Sequence, residues 1–402
     1  MKLSDIQKAV ENQKIALSEQ DLGHERTLLP ELPDFQSHAL VISGIRRCGK
    51  STLLHQFVKK LNRDFFYLNF DDLRLANFTT EDYGLLDKVI ADSAARLLFF
   101  DEVQSAQHWE LYVRQKLDDG FQLAVTGSNA SLLSRELGTR LTGRHISKEL
   151  FPFSYREFCS FTEQEPGASS LENYLEMGGF PEYLKTGNQD IITQLTTDIL
   201  YRDIAVRYGI RDVASLRRLF VYLVSNPAQK FSPSKLIHTA GVKSPTTVLE
   251  YISFFESSYL INLLPCFAWS VKAQSLAPKK VYIADTGIIK TGSVSFSGNM
   301  GALLENFVYN CLRSQTTDIF YFSGNGECDF ILNPNERPCC IQVCWDLTGE
   351  NQEREISGLI EAMDFFKETN GTILTFNSED IILKNGKKIN VIPSWKWAYG
   401  IN

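Results

Sequence analysis

Eight residues, Gly44-Ile-Arg-Arg-Cys-Gly-Lys-Ser51, constrain this chain more than any other stretch. They follow the apolar run Ala39-Leu-Val-Ile42 and open the helix-forming segment Ser51-Thr-Leu-Leu-His-Gln-Phe-Val-Lys-Lys60. The spacing GxxxxGK[ST], set between a strand and a helix, is that of a phosphate-binding loop. Gly44 and Gly49 let the backbone wrap close to an anion, and the amides from Arg47 and Cys48 into the helix N-terminus supply positive potential. Lys50 is placed to reach the β- and γ-phosphates, the Ser51 hydroxyl to ligate Mg2+, and Thr52 to line the same loop. ATP and Mg2+ are the expected ligand and metal.

From His38 to Leu150 short apolar runs alternate with helical stretches, which predicts a parallel α/β sheet. Strands are expected at Ala39–Ile42, Phe65–Phe70, Arg96–Phe100, Phe121–Thr126 and Ile146–Leu150. The third delivers Asp101 and Glu102 to the carboxyl end of a buried strand, where α/β sheets bind ligands. Asp101 is the candidate to hold Mg2+ through water and Glu102 to activate the attacking water. Acids also end strands simply because strands surface there. The fourth strand runs into Gly127-Ser128-Asn129, where Ser128 and Asn129 are candidate γ-phosphate sensors and equally good turn formers. Of the trailing arginines Arg135, Arg140 and Arg144, the last two are candidates to stabilise charge on the transferred phosphoryl group from a neighbouring subunit. A solvated helix face would use arginine as well.

Phosphate loop, Asp-Glu strand, polar sensor and trailing arginines, in this order, resemble an AAA+ ATPase. Tyr174-Leu-Glu-Met-Gly-Gly-Phe-Pro-Glu182, Asp203-Ile-Ala-Val-Arg-Tyr208 and Lys280-Val-Tyr-Ile-Ala-Asp285-Thr-Gly-Ile resemble a prokaryotic family in which such a module is fused to a C-terminal domain of unknown function. The resemblance runs from about residue 20 to the end. It implies an α/β protein: a P-loop parallel-sheet domain, a helical winged-helix middle and a restriction-endonuclease-like (PD-(D/E)XK) domain. The expected division is 1–37 helical segment, 38–160 ATPase, 170–295 helical and winged-helix, and 298–402 endonuclease-like.

In the middle region Ser232-Pro233 and Ser244-Pro245 each open a short helix, and Gly241 separates them. A helix-turn-helix so built would offer Ser244, Thr246, Thr247 and Tyr251 to a groove, with Lys235 and Lys243 beside the phosphates. Residues 213–280 carry eight basic and two acidic side chains, a local +6 in a chain of net −7. A basic island in an acidic protein suits contact with a nucleic-acid backbone; lysines that merely solvate a scaffold would look the same.

Endonuclease-like domains present carboxylates to Mg2+ from adjacent strands beside a lysine, the pattern the resemblance implies. Here Glu305, Glu327 and Asp329 supply acids, but Gln342 and Cys344 stand where Glu-x-Lys is expected. Glutamine can offer a metal only a neutral oxygen, and cysteine cannot replace an ammonium. The stretch 298–402 has 14 acidic and 8 basic residues, a poor surface for DNA. The expectation is a domain retained for interaction, without nuclease activity.

No apolar run approaches the roughly 18 residues needed to cross a bilayer, so no membrane is expected. The eight cysteines form no CxxC pair and read as reduced thiols of a cytoplasmic protein. Three functions compete: a ring-forming, Mg2+-dependent ATPase working on DNA, an ATP-gated nuclease, and a nucleotide-controlled switch that binds a protein partner.

Overall fold

The computed structural model describes residues 1–33, 35, 37–130, 141, 143–293 and 299–401. It divides into two compact units, Met1–Phe151 with Ser257–Tyr259, and Pro152–Glu256 with Leu260–Asn402.

In the first unit a helix α1 (Leu3–Glu19) precedes an alternation of strands and helices: β1 (Ala39–Ser43), α2 (Lys50–Leu61), β2 (Phe65–Asn69), α3 (Tyr83–Ser93), β3 (Leu97–Asp101), α4 (Trp109–Asp118), β4 (Gln122–Gly127) and β5 (His145–Glu149). All five strands pair in parallel, in the order β2-β3-β4-β1-β5. Every residue of β1 and β3 is buried, which is why both read as unbroken apolar runs. The five expected strands are all present, with ends within a residue or so of those expected.

The α1 helix buries Ile6 and Ala9 in the core that holds Phe66, Leu68 and Phe100. Its Gln13 amide donates to Asn69 O at 3.1 Å and Asp72 Oδ2 at 2.8 Å.

The second unit begins with helices α5 (Tyr155–Phe161), α6 (Ala168–Met177), α7 (Pro181–Thr186) and α8 (Asp190–Asp198), then a π-helix (Ile199–Val206) and α9 (Val213–Ser225). Next come β6 (Lys230–Phe231), α10 (Pro233–Ala240), α11 (Pro245–Ser257), β7 (Ile261–Leu264), α12 (Val271–Leu276) and β8 (Lys279–Ile283), whose strands form an antiparallel sheet β6-β8-β7. After α13 (Thr286–Gly292) and α14 (Met300–Arg313) follow β9 (Ile319–Ser323), β10 (Glu327–Leu332), β11 (Cys339–Val343), α15 (Gln352–Phe366), β12 (Asn370–Thr375), β13 (Asp380–Lys384), β14 (Lys387–Pro393) and α16 (Ser394–Tyr399). These strands make a mixed six-stranded sheet, β13-β14-β12-β11-β10-β9. Cys328, Cys340, Ile373 and Ile389 from the sheet form one core with Leu359 and Met363 of α15.

Two of the quoted sequence motifs meet inside this unit. Asp285 caps α13 through Gly287 N and accepts from Gly179 N at 2.7 Å. A Cβ at Gly178 would stand 1.9 Å from Asp285 Oδ1, and one at Gly179 would stand 2.2 Å from Phe153 O. Close backbone approach therefore accounts for the Gly-Gly pair.

Candidate functional site

The loop after β1 turns back on the sheet through left-handed backbone. Gly44 has φ +150°, and a Cβ there would lie 2.1 Å from Leu150 O. Gly49 (φ +101°) caps α2, which aims its first amides into the loop. Lys50 is buried, and its Nζ donates to Gly44 O and Ile45 O at 3.1 Å each. The same ammonium is 3.8 Å from Glu102 Oε1.

The two acids leave β3 in different environments. Asp101 is fully buried and accepts hydrogen bonds from Tyr67 Oη at 2.9 Å, from Thr126 Oγ1 and from Ser51. Burial, with Glu102 beside it, pushes the Asp101 carboxyl up. Glu102 sits at φ +50°, with its amide donating to Thr126 Oγ1 at 3.1 Å. Burial raises its carboxyl too, but the Lys50 ammonium and hydrogen bonds from Gln104 and Ser128 outweigh it and hold Glu102 low. Gln104 Nε2 donates to both Glu102 Oε2 and Ser128 Oγ, the latter at 3.2 Å. Asn129 is buried next to Ser128 where β4 ends.

This set brings together Gly44, Gly49, Lys50, Ser51, Asp101, Glu102 and Ser128. Mg2+ and a triphosphate fit it: the Lys50 ammonium lies on the loop carbonyls with Glu102 beside it, and Ser51 and Asp101 already touch. Arg47 is exposed at φ +61°. Cys48 is buried, with Sγ 3.3 Å from Leu150 O and its thiol pushed up by burial, so it serves the loop's packing. Thr52 Cγ2 faces Gly23, near a cleft of about 460 Å³ lined by Leu22, Gly23, Leu29, Pro30 and Gln56.

Sequence reasoning missed Arg26. Its buried guanidinium donates to Cys48 O at 2.7 Å and Phe151 O at 2.8 Å, clamping the phosphate loop from outside the motif. Nothing in the irregular stretch around it marks that role. Tyr67, Gln104 and Thr126 were also missed; Thr126, one residue before the end of β4, donates its hydroxyl to Asp101.

Arg144 pairs with Asp118, and its carbonyl accepts from Ala39 N at 3.1 Å, at the end of β1 opposite the phosphate loop. It cannot reach Lys50 of its own chain, since five strand residues span about 16 Å. Arg135 and Arg140 lie outside the described residues.

In the second unit Lys235, Lys243 and Thr246 are exposed on or beside α10 and α11. Ser244 Oγ accepts from Thr247 N at 3.2 Å, so that pair caps the helix. Tyr251 is buried and faces the core, which corrects its expected place as a groove reader. The basic island shrinks as well. Lys280 is buried, Lys230 pairs with Glu327, and Arg218 donates to Ala240 O at 3.2 Å and Ser215 Oγ at 2.7 Å.

The acids of the C-terminal sheet converge as expected, but on a lysine. Lys280 Nζ stands 2.8 Å from Glu305 Oε1, 2.8 Å from Glu327 Oε1 and 2.9 Å from Asp329 Oδ1. They border a cavity of about 970 Å³ that Gln342, Cys344 and Glu355 also line. Burial and the nearby Asp329 push the Glu305 carboxyl up to about 7. Gln342 Oε1 accepts from Asp329 N at 3.2 Å and its amide donates to Glu355 Oε2 at 2.7 Å. Gln342 therefore ties the Asp329 backbone amide to the Glu355 carboxylate, which corrects its reading as a neutral metal ligand. Cys344 is buried, and burial lifts its thiol to about 12, which disfavours the thiolate.

A phosphate loop on β1, paired acids on β3 and a polar end to β4 define an AAA-domain ATPase. The AAA domain family matches residues 36–159, and a domain of unknown function (DUF8612) matches 168–293. The chain is 33% identical over 390 residues to the uncharacterized protein MJ1544 of Methanocaldococcus jannaschii, across 89% of this chain and 87% of that one, and belongs to its family. An uncharacterized protein of Haemophilus influenzae is 27% identical over 350 residues, 81% of this chain and 87% of its own. Among solved structures, the Thermotoga maritima RuvB Holliday junction branch migration motor aligns at 20% identity and a TM-score of 0.29, covering 63% of this chain and 88% of that one. Caenorhabditis elegans PCH-2 (C. elegans) aligns at 13% identity and a TM-score of 0.25, covering 63% and 67%. No helix among the described residues is long and apolar enough to cross a membrane.

Proposed function

We propose that this chain hydrolyses ATP in a Mg2+-dependent reaction and couples turnover to DNA. The observation that carries the reading is the pairing of Lys50 with Glu102 and of Ser51 with Asp101 at the carboxyl ends of β1 and β3. Lys50 exchanges its loop carbonyls for phosphate oxygens when nucleotide binds. Ser51 and Asp101 are the residues that would hold Mg2+, which would supply neutralisation of charge on the phosphates. Glu102, kept ionised by Lys50, Gln104 and Ser128, accepts the proton of the attacking water. Ser128 keeps that carboxylate aimed through Gln104. The nucleobase lies towards the cleft at Leu22, Gly23 and Gln56.

The chain acts as a homo-oligomer in this reading, because Arg144 can serve only a neighbour's phosphates. DNA backbone meets the exposed Lys235, Lys243 and Thr246. The test is ATPase rate with and without duplex DNA over a range of salt. Stimulation that falls steeply with salt, and that Lys235→Ala/Lys243→Ala removes, supports the reading. ATPase activity indifferent to any DNA overturns the coupling while leaving the ATP site standing.

A further inference from the structure

The acid cluster of the C-terminal sheet disagrees with the metal that an endonuclease-like domain implies. We infer that the Lys280 ammonium is the resident cation of Glu305, Glu327 and Asp329, and that the cluster is an ion-paired latch between the β6-β8-β7 sheet and the six-stranded sheet, with no place for a divalent metal. This inference does not rest on the ATPase reading.

The donor count is the first argument. An ammonium has three N–H groups, and Lys280 directs one at each of three carboxylates, at 2.8 Å, 2.8 Å and 2.9 Å. The remaining capacity of the acids is largely taken too. Asp329 Oδ2 accepts from Val343 N at 3.0 Å, Glu327 Oε2 pairs with Lys230, and Glu305 Oε1 also accepts from Tyr282 Oη at 2.7 Å. A metal ion would have to displace a tethered lysine and compete for carboxylate oxygens of which Glu305 Oε1, Glu327 Oε2 and Asp329 Oδ2 are already bonded.

The second argument is where the lysine comes from. Lys280 is opposite Lys230 on β6 and Leu264 on β7, so antiparallel pairing holds its backbone on both sides. Strand alternation puts Tyr282 on the same face, and both side chains reach Glu305. Lys230 and Lys280 also stand 4.9 Å and 5.7 Å from the centroid of the Tyr321 ring on β9. The Tyr321 hydroxyl donates to Pro278 O at 2.5 Å, and its amide donates to Pro265 O at 3.0 Å. A neighbouring sheet thus delivers, already fixed, the positive charge that β11 lacks at Cys344.

A buried ammonium stripped of its carboxylates would be left uncompensated and strongly destabilising, and so would the carboxylates without it. Each side of the latch therefore requires the other.

The test uses the full chain without nucleotide and Mn2+ as the probe. Wild type and Asp329→Asn should bind Mn2+ with affinities within twofold of each other, because the cluster contributes no site. A tenfold loss in Asp329→Asn overturns the inference. Lys280→Met, which leaves the acids without their cation, should melt lower than wild type and bind Mn2+ at least tenfold more tightly. A folded Lys280→Met protein that gains no Mn2+ affinity also overturns it. If Lys280→Met does not fold, Lys280→Met/Glu305→Gln/Asp329→Asn should recover soluble, folded protein, since it removes cation and acids together. Failure of that variant while Glu305→Gln/Asp329→Asn folds normally counts against the latch.

Discussion

The Lys50 ammonium stands 3.8 Å from the Glu102 carboxylate while donating to the carbonyls of Gly44 and Ile45. One cation thus bridges the phosphate loop and the base. Glu102→Gln keeps the shape and the contact with Gln104 but removes the proton acceptor. Turnover should fall about 10²- to 10³-fold with nucleotide affinity nearly unchanged. Lys50→Ala should lose affinity as well as turnover. Parallel measurements of steady-state hydrolysis and binding of a fluorescent ATP analogue separate the two, and equal loss of binding in both variants would refute the assigned roles.

Arg26 grips the loop by two carbonyls, Cys48 O and Phe151 O. Removing it leaves buried acceptors unpaired, at a cost of about 1–3 kcal/mol. Arg26→Ala should therefore raise KM for ATP by tenfold or more, with a smaller change in kcat. Arg26→Lys should rescue little, since one ammonium cannot copy the fork. An unchanged KM in Arg26→Ala would remove Arg26 from loop positioning.

Which of these features could be read from sequence follows from how local their causes are. The strands were legible because Ala39–Ile42 and the Leu97–Phe100 run are buried on both faces, and such strands spell themselves out as apolar residues. The phosphate loop was legible because glycine, lysine and serine are needed at fixed offsets. Arg26 was not, since its partner carbonyls lie 22 and 125 residues away and any residue has a carbonyl. Lys280 misled the reading of charge. Beside Lys279 it looked like half of a basic surface pair, and only its strand pairing, with Glu305 on α14 and Glu327 and Asp329 on β10, places it among three acids. Tyr251 misled for a related reason: the position is helical, but its burial depends on how the helix packs in the fold, which no local pattern marks.

Asp285 makes a pH signature for the second unit. Burial raises its carboxyl to about 6 against an ordinary 3.8, despite amides of Gly179, Gly287 and Ile288 that favour the ionised form. The folded-state value lies above the unfolded one, so the native state binds this proton more tightly. Its contribution to stability is full below pH 4 and is lost as pH rises through about 6, a change of about 3 kcal/mol. Asp285→Asn cannot titrate. The difference in unfolding free energy between wild type and Asp285→Asn should shift by most of that amount, about 2.4 kcal/mol, in favour of wild type between pH 7 and pH 4. Denaturant titrations at several pH values measure it, and a pH-independent difference would contradict the buried, titrating carboxyl.

Arg144 offers a test of assembly that needs no structure of the oligomer. In its own chain it is held by Asp118 at the far end of β5 from the phosphate loop. If it completes a neighbour's site, Arg144→Ala should bind ATP normally yet hydrolyse it at least tenfold more slowly, as loss of an arginine that meets the transferred phosphoryl group does. Lys50→Ala should be inactive for the separate reason that it lacks its own loop lysine. Mixing the two inactive proteins then creates interfaces in which an intact loop faces an intact Arg144, and hydrolysis should partly recover. Recovery should grow with protein concentration, because the active species is a mixed assembly. A mixture that stays as inactive as its components, while sizing shows that subunits exchange, would confine Arg144 to its ion pair with Asp118.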